Sequence, residues 1–273
     1  MELLEFCRAI RLSESMTVRV LSAAEEISLA GMADAVSGLY DPQRWSQALE
    51  QVGALLEPDP DGVKKLTVSL LCCQKTWEFY REKQISREIF IDTMTIFSRF
   101  VGEHQVSYGR EGFDRWWWTV RQLSGLLFRI GTLEYELPAT SGGEIRVHIP
   151  SDAVLTFESL RSSYDQAQAL IAQAFPEHAG AKMSCESWLL SPQLKDFLPE
   201  DSRILLFQQG FTLTGTFPSD DIRQWVFKNP DLPTDALPEN TSLQRKLKAF
   251  LLGGGVFRNG KGILLTSPWE HIV

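Results

Sequence analysis

The stretch VHIPSDAVLTFESL, residues 147–160, places a histidine and two small polar side chains where a strand is predicted to turn into a helix. His148 stands just before Pro150, whose fixed φ favours a corner. Its imidazole can be the general base for an incoming amine or hydroxyl, or it can hydrogen-bond the loop. Ser151 and Asp152 suit a helix cap or the binding of a cofactor phosphate or substrate. The corner is therefore a candidate catalytic and cofactor-binding site.

A second candidate is KMSCESWLL, residues 182–190. In a strand, alternation puts Cys185 and Ser187 on one face and Glu186 and Trp188 on the other. Cys185 can be a nucleophile or proton donor, although a lone cysteine in a strand is more often a small buried apolar residue. Glu186 can be the base or a solvated charge. Trp188 can form the floor of an acceptor pocket, with Ser187 beside it, or it can pack in the core.

Other common sites have no support in the sequence. The four histidines lack H-x-x-x-H or H-E-x-x-H spacing, so no metal site is predicted. No G-x-S-x-G elbow occurs. The segment LLGGGVFRNGKGILL carries Arg258 and Lys261 but lacks the strand-loop-helix context and the G-K-[ST] ending of a P-loop. It is instead predicted to form a glycine-rich hairpin that turns at Asn259 and Gly260.

Composition restricts the class of partner. The formal net charge of −8 argues against a nucleic-acid partner, which needs clustered Lys and Arg. The sequence has no run of about 18 apolar residues, and MELLEFCRAIRLSE has acids where a signal peptide needs a basic region. We therefore expect no membrane association and a cytoplasmic location. The four cysteines lack C-x-x-C spacing, which is typical of reduced thiols.

The first half of the chain has apolar residues at helical spacing from about residue 16 to 100. In DPQRWSQALEQVGALL, Asp41 suits the N-cap and Pro42 the first helical position. A second helix is predicted over GVKKLTVSLLCCQKTWEFYREK, and a third begins at Ser86. These patterns predict an all-α bundle.

The second half changes to a period of two, which indicates strands. TLEYEL and EIRVHI alternate cleanly, and the SGG at residues 141–143 between them predicts a hairpin. A helix follows with Leu160 and Ile171 on one side, ended by Pro176. The remaining predicted elements are a strand in KMSCESWLL, a short helix in SPQLKDFL, a long strand RILLFQQGFTL, a helix DIRQWVF and the final hairpin. This order predicts a mixed-sheet α/β domain.

Two stretches carry a resemblance to a known family. HIPSDAVL and SWLLSPQLKDFLPEDSRILLFQQGFTL resemble a group of bacterial two-domain acyltransferase-like proteins, with an α-helical N-acyltransferase-type N-terminal domain and a GNAT-like C-terminal domain. The resemblance covers about the whole chain. It implies an all-α domain over residues 1–118 followed by a GNAT-like mixed-sheet α/β domain over residues 119–273.

The resemblance also implies a function and a geometry. A GNAT-like acyltransferase moves an acyl group from acyl-CoA to an amine or hydroxyl of a small acceptor, without a metal. In GNAT enzymes a central strand runs into the helix that receives the pyrophosphate, and the next strand splays away to admit the thioester. By this resemblance EIRVHIP is the central strand, LTFESLRSSYDQAQALIAQAF the receiving helix and KMSCESWLL the splayed strand.

The sequence departs from the usual GNAT phosphate loop. No glycine lies between residues 148 and 158, and Asp152 and Glu158 place negative charge where pyrophosphate would bind. Two main functions therefore remain open, besides an interaction module that uses the helical half for partner binding. One is acyl transfer with His148 or Glu186 as base. The other is a non-catalytic ligand-binding or scaffold protein that kept the GNAT-like fold and lost CoA binding.

Overall fold

The computed structural model describes residues 1–140 and 142–269. Contacts divide the chain into two compact units, Met1–Arg129 and Ile130–Val273. The domain boundary predicted from the sequence, after Trp118, lies within a helix of the first unit. Helices dominate the first unit and a mixed sheet organises the second, so the predicted fold class is confirmed.

The regular elements of the first unit are helices as far as Leu127, where a strand begins. Its α-helices are α1 (Leu3–Ala9), α2 (Glu14–Glu26), α3 (Ala33–Gly38), α4 (Trp45–Leu56), α5 (Val63–Glu82), α6 (Arg87–Tyr108) and α7 (Trp116–Leu123), with a 3-10 turn at Leu29–Met32.

Local chemistry sets where these helices begin. The Ser86 hydroxyl accepts from Ile89 N at 3.3 Å and caps α6, as predicted. Before α5, Gly62 has φ of +70°, and a Cβ there would lie 1.8 Å from the carbonyl oxygen of Phe113. The prediction for α4 was wrong by one turn. Asp41 accepts from Gln43 N in a preceding turn, so the helix starts only at Trp45.

The second unit alternates strands and helices. In chain order they are β1 (Leu127–Ile130), which contains the division between the units, β2 (Leu133–Glu136), β3 (Ile145–His148), α8 (Phe157–Ala174), β4 (Met183–Ser187), α9 (Arg203–Gln208), β5 (Phe211–Pro218), α10 (Asp221–Trp225), α11 (Ser242–Leu252) and β6 (Arg258–Leu264). Short 3-10 helices lie at Pro176–His178, Trp188–Leu190, Pro192–Asp196 and Thr234–Ala236.

The six strands form one mixed sheet in the order β1-β2-β3-β4-β6-β5. β2 and β3 pair antiparallel, as the sequence predicted, although Ser141 of the predicted turn lies outside the described residues. β3 and β4 are parallel, because α8 crosses between them. β6 pairs antiparallel with both β4 and β5. The parallel pair β3 and β4 therefore lies in the middle of the sheet.

One buried hydroxyl joins α8 to the sheet. The Oγ of Ser163 accepts from Leu133 N at 3.2 Å, lies 3.1 Å from the Tyr135 hydroxyl and donates to the carbonyl oxygen of Ile130. Gly131, with φ of +63°, leaves room for this residue, since a Cβ there would lie 3.2 Å from Ser163 Cα. Tyr135 therefore marks the face of the sheet that α8 covers.

The predicted long strand RILLFQQGFTL is wrong in its first part. Ser202 caps α9 by accepting from Ile204 N at 3.3 Å, and only the strand β5, which begins at Phe211, is extended. A short continuous apolar run fits a helix and a strand equally well. Most of β5 is exposed.

The predicted hairpin at Asn259 and Gly260 is also wrong, because both residues lie inside the single strand β6. Gly260 pairs with Ser187 on one side and Thr216 on the other. A Cβ at this position would lie 2.1 Å from the carbonyl oxygen of Leu190. The glycine is therefore needed for close packing against the 3-10 helix, and a turn is not its role.

Candidate active site where two parallel strands diverge

The paired register of β3 and β4 is short. The amide N of Ile145 donates to the carbonyl oxygen of Lys182 at 2.9 Å. The register then pairs Ile145 with Met183 and Arg146 with Ser184, where it ends. β4 nevertheless continues, since Cys185, Glu186 and Ser187 still pair with β6. The backbone ladder is therefore unmade between the carboxyl-terminal ends of the two strands, and this unpaired segment is called the gap below.

A backbone donor faces this gap. Alternate residues of a strand direct their N–H and C=O groups to the same edge. The carbonyl of Lys182 points to β3, so the N–H of Glu186, four residues later, points the same way. The ladder between β3 and β4 has ended before that position. The N–H of Glu186 is therefore placed to donate to a group that enters the gap.

The register assigns the predicted site residues to two faces of the sheet. Val147 pairs with Tyr135, which contacts α8, so both side chains lie on the face that α8 covers. The register of β3 with β4 places Cys185 on the same face. His148 pairs with Glu134 on the opposite face of the sheet. The register of β3 with β4 places Glu186 on that opposite face too. The two candidate bases therefore share a face, and Cys185 is separated from both by the sheet.

His148 forms a direct pair with a buried carboxylate. Its Nε2 lies 2.8 Å from Oε2 of Glu136, and the two side chains are 22% and 11% exposed. Sequence reasoning placed Glu136 on the polar side of TLEYEL but did not select it. The missing signal was burial, since both acids of that strand, Glu134 and Glu136, are buried. An isolated strand pattern does not show that its polar face is covered.

Glu186 is paired across the next strand pair. Its Oε1 lies 2.7 Å from Nζ of Lys261, and both side chains are about half exposed. The carboxylate raises the pKa of Lys261 through this hydrogen bond and its charge. The cation in RNGKG is therefore held by a strand neighbour inside β6, where the sequence had predicted a hairpin.

Cys185 is buried at 1% exposure. Burial, with a smaller contribution from the charge of Glu186, raises the pKa of this thiol far above its ordinary value. A thiol that stays protonated is a weak nucleophile. Its surroundings thus favour the interpretation of Cys185 as a small packed side chain.

The corner after β3 is longer than predicted. A turn closes with Ala153 N donating to the Pro150 carbonyl at 2.9 Å, and Val154 N donates to Thr132 Oγ1 at 2.6 Å. The cap of α8 is Thr156, whose hydroxyl accepts from Ser159 N at 3.3 Å. Capping by the two residues of the turn, Ser151 and Asp152, was therefore a wrong alternative. Both lie exposed in the turn before the helix.

The residues after Glu186 end the strand. The Ser187 hydroxyl accepts from Leu189 N at 3.1 Å and caps the 3-10 helix Trp188–Leu190. Trp188 packs against a second hydrophobic core formed by Leu194, Ile222, Val226, Phe227, Leu237, Leu247 and Phe257. For Trp188 the contacts match the core-packing alternative that the sequence left open.

Residues 1–140 and 142–269 lack two further features. No group of three or more His, Cys, Asp or Glu side chains there could hold a metal ion. No helix in the described part of the chain is long and apolar enough to cross a membrane.

The sequence was next compared with known families. Residues 1–125 match the N-acyltransferase N-terminal domain, and residues 127–264 match the GNAT-like C-terminal domain. The chain belongs to the GNAT-like C-terminal domain family and carries the N-acyltransferase-type domain before it. The resemblance proposed from HIPSDAVL and the following segments is thereby confirmed.

Solved structures of acyltransferases are similar along nearly the whole chain. One, "The crystal structure of acyltransferase in complex with decanoyl-CoA and teicoplanin", is 26% identical with a TM-score of 0.77, covering 95% of this chain and 86% of its own. A second acyltransferase structure, in complex with decanoyl-CoA, is 25% identical with a TM-score of 0.67, covering 97% and 99%. No curated protein matches the chain.

Proposed function

We propose that the protein transfers an acyl group from acyl-CoA to an amine or hydroxyl of a small acceptor. The observation that supports this most is the end of the ladder between β3 and β4 after Arg146 and Ser184, next to the segment that leads into α8. That arrangement is what the family resemblance requires for a thioester to enter the sheet. The two units would act in the cytoplasm as one enzyme.

The gap can bind and polarise the thioester. A carbonyl oxygen that enters between the strands would accept a hydrogen bond from the N–H of Glu186. Such a fixed backbone donor stabilises the negative charge that develops on that oxygen when a nucleophile attacks. This donor needs no movement to reach the gap, because β6 holds β4 in place.

The pyrophosphate would be received at the start of α8. The first-turn N–H groups of an 18-residue helix, including those of Phe157 and Glu158, have no acceptor within the helix itself. Ser151 and Asp152 are the proposed contacts in the turn, with Ser151 as the donor. Because no glycine is present, the cradle would come from this turn, which Thr132 fixes to the sheet.

The chemical step needs a base on the acceptor side. The acceptor nitrogen or oxygen attacks the thioester carbon, its proton moves to the base, and the C–S bond then breaks to release the CoA thiolate, which takes up a proton. His148 and Glu186 are the proposed bases, and both lie on the face of the sheet opposite α8. Ser187 and Trp188 are the proposed residues near the acceptor.

The alternative of a scaffold that has lost CoA binding is less well supported. It was based on the missing glycines and the acidic helix start. Against it, two solved acyltransferase structures that resemble this chain over 95% and 97% of its length contain decanoyl-CoA, and one of the two also contains teicoplanin. That similarity makes acyl-CoA the expected donor and a small molecule the expected acceptor.

A thermal-shift experiment tests donor binding. CoA, acetyl-CoA and decanoyl-CoA should raise Tm at micromolar concentrations, because a ligand that binds only the folded state stabilises it by mass action, by about 2.7 kcal/mol at 100 times Kd. Free decanoate is the matched control and should leave Tm unchanged. If none of the three CoA compounds raises Tm, the acyltransferase proposal fails.

Turnover tests the bases. Release of the CoA thiol from decanoyl-CoA would be measured with a panel of primary amines and amino sugars. His148→Ala and Glu186→Gln would be compared with the wild type. Unchanged rates in both variants would refute the assignment of the base to these two residues.

A further inference from the structure

The pair formed by His148 and Glu136 has a defined geometry. The two residues lie on neighbouring antiparallel strands, where His148 pairs with Glu134 and Glu136 pairs with Arg146. Glu136 is thus the diagonal neighbour of His148 on one face, a position from which long side chains make contact. The imidazole reaches it through Nε2, at 2.8 Å from Oε2.

The chemistry of this contact determines where the imidazole carries its proton. An ionised carboxylate only accepts hydrogen bonds, so a ring nitrogen bonded to it must be the one that carries hydrogen. In the neutral imidazole the other nitrogen then holds the lone pair. With Glu136 ionised, this contact places the N–H of His148 at Nε2 and its lone pair at Nδ1.

We propose that Glu136 is a positioning residue that fixes His148 in the Nε2–H tautomer, so that Nδ1 is the atom that takes the proton from the acceptor. This inference rests on the proposed acyl transfer and extends it by naming the basic atom. When Nδ1 gains the proton, the imidazolium keeps its Nε2–H bond to the carboxylate, which stabilises the new positive charge. The same proton can then pass to the departing CoA thiolate.

Three neighbouring features fit this role. Glu136 and His148 are largely removed from solvent, so the hydrogen bond competes little with water. β3 and β2 remain paired as far as His148, which fixes the backbone beneath the imidazole. The register between β3 and β4 has already ended at Arg146 and Ser184, so His148 belongs to the part of β3 that borders the gap.

The tautomer can be observed in the protein without any substrate. Long-range 1H–15N correlation spectra of 15N-histidine protein at about pH 8 distinguish Nε2–H from Nδ1–H imidazoles, and His148→Ala assigns the signal. His104 is an internal reference, since its Nδ1 lies 2.8 Å from the carbonyl oxygen of Arg110 and must donate to it. We expect the Nε2–H pattern for His148 and the opposite pattern for His104. An Nδ1–H pattern for His148 would overturn the inference.

A second arm tests Glu136 itself. In Glu136→Gln the amide can donate as well as accept, so the tautomer is no longer fixed, and we expect a mixture in the spectrum. Decanoyl transfer should lose about 10- to 100-fold in kcat, with KM for the acyl-CoA unchanged. Glu134→Gln changes a buried carboxylate on the same strand and face, and it should retain the Nε2–H pattern.

The results separate this inference from the proposed function. A single Nε2–H tautomer that persists in Glu136→Gln, or an unchanged kcat in that variant, would refute the positioning role. If the protein showed no acyl transfer at all, the acyltransferase proposal would fail while the spectra would still decide the tautomer. If Glu136→Gln did not fold, the wild-type spectrum with its His104 reference would decide it alone.

Discussion

Lys261 and Glu186 face each other directly across β6 and β4, with Nζ 2.7 Å from Oε1. The pair lies on the face of the sheet that also carries His148, beside the gap between the parallel strands. One candidate base is therefore held by a cation and the other by a carboxylate. Because the cation is a titratable lysine, the first prediction depends on pH.

The Lys261 pair should stabilise the protein only while the lysine is charged. Its folded-state pKa is raised above the ordinary 10.5, so the contribution is fully present below that value and is lost as the pH rises through the folded pKa. Glu186→Gln should therefore have a lower Tm than the wild type by a constant amount at pH 8 to 10, and the difference should fall only as the pH rises beyond 10.5, through the raised pKa of Lys261.

Thermal melts of both proteins from pH 8 to well above 10.5 measure the effect. Lys261→Arg is the control, because a guanidinium stays charged, and its advantage over the Lys261→Arg/Glu186→Gln double variant should persist to high pH. A difference between wild type and Glu186→Gln that stays constant across the range would contradict the prediction.

Gly260→Ala should destabilise the sheet. The added Cβ would lie 2.1 Å from the carbonyl oxygen of Leu190, a backbone atom that cannot move away alone. Forced overpacking of this kind costs about 1–3 kcal/mol in the free energy of unfolding, measured by urea denaturation. Gly215→Ala on the adjacent β5 is the matched control, since no atom lies within 4 Å of its added Cβ. Equal losses in the two variants would show that the contact at Leu190 is not the cause.

Ser163→Ala should weaken the attachment of α8 to the sheet. It leaves the N–H of Leu133 and the hydroxyl of Tyr135 without this partner in a buried position. The expected loss in the free energy of unfolding is about 1–3 kcal/mol. Ser162→Ala, one residue earlier on the exposed side of the same helix, should change it by less than about 0.5 kcal/mol. A loss in Ser163→Ala no larger than in Ser162→Ala would be incompatible with this role.

Cys185 should be dispensable for turnover. Because burial raises its pKa, the thiol should react with a thiol reagent at pH 8 only after the protein is denatured. Cys185→Ala should retain about half or more of the wild-type kcat, measured by release of CoA thiol. A loss of about 100-fold would instead restore the nucleophile interpretation. Cys72→Ala, which removes another buried thiol, controls for the effect of a cavity.

Periodicity predicted the elements in which one face is buried and the other polar. β2 and β3 alternate in the sequence and in the fold, and α8 ends before Pro176 as expected. Ser86 was identified as a cap because its hydroxyl acts within three residues. Interactions of this range are determined by local sequence, and so is the element order that revealed the family.

Periodicity failed where a contact distant in sequence decides the structure. Arg203–Gln208 carries an apolar run that suits a strand, yet it is helical. Asn259 and Gly260 suit a turn in isolation, but Gly260 lies inside β6 because its missing side chain admits the backbone of Leu190. Leu190 is distant from Gly260 in the sequence, so this contact was not visible in the local pattern, and an apolar run alone does not distinguish a helix from a strand.

The sequence by itself determined which residue types line each face and that His148 and Glu186 fall on the polar ones. Only the tertiary structure decided their partners. The pairing of β2 with β3 brings Glu136 to His148, and the pairing of β4 with β6 brings Lys261 to Glu186. Alternation fixes the direction of a side chain along its own strand, whereas register between strands fixes what it meets.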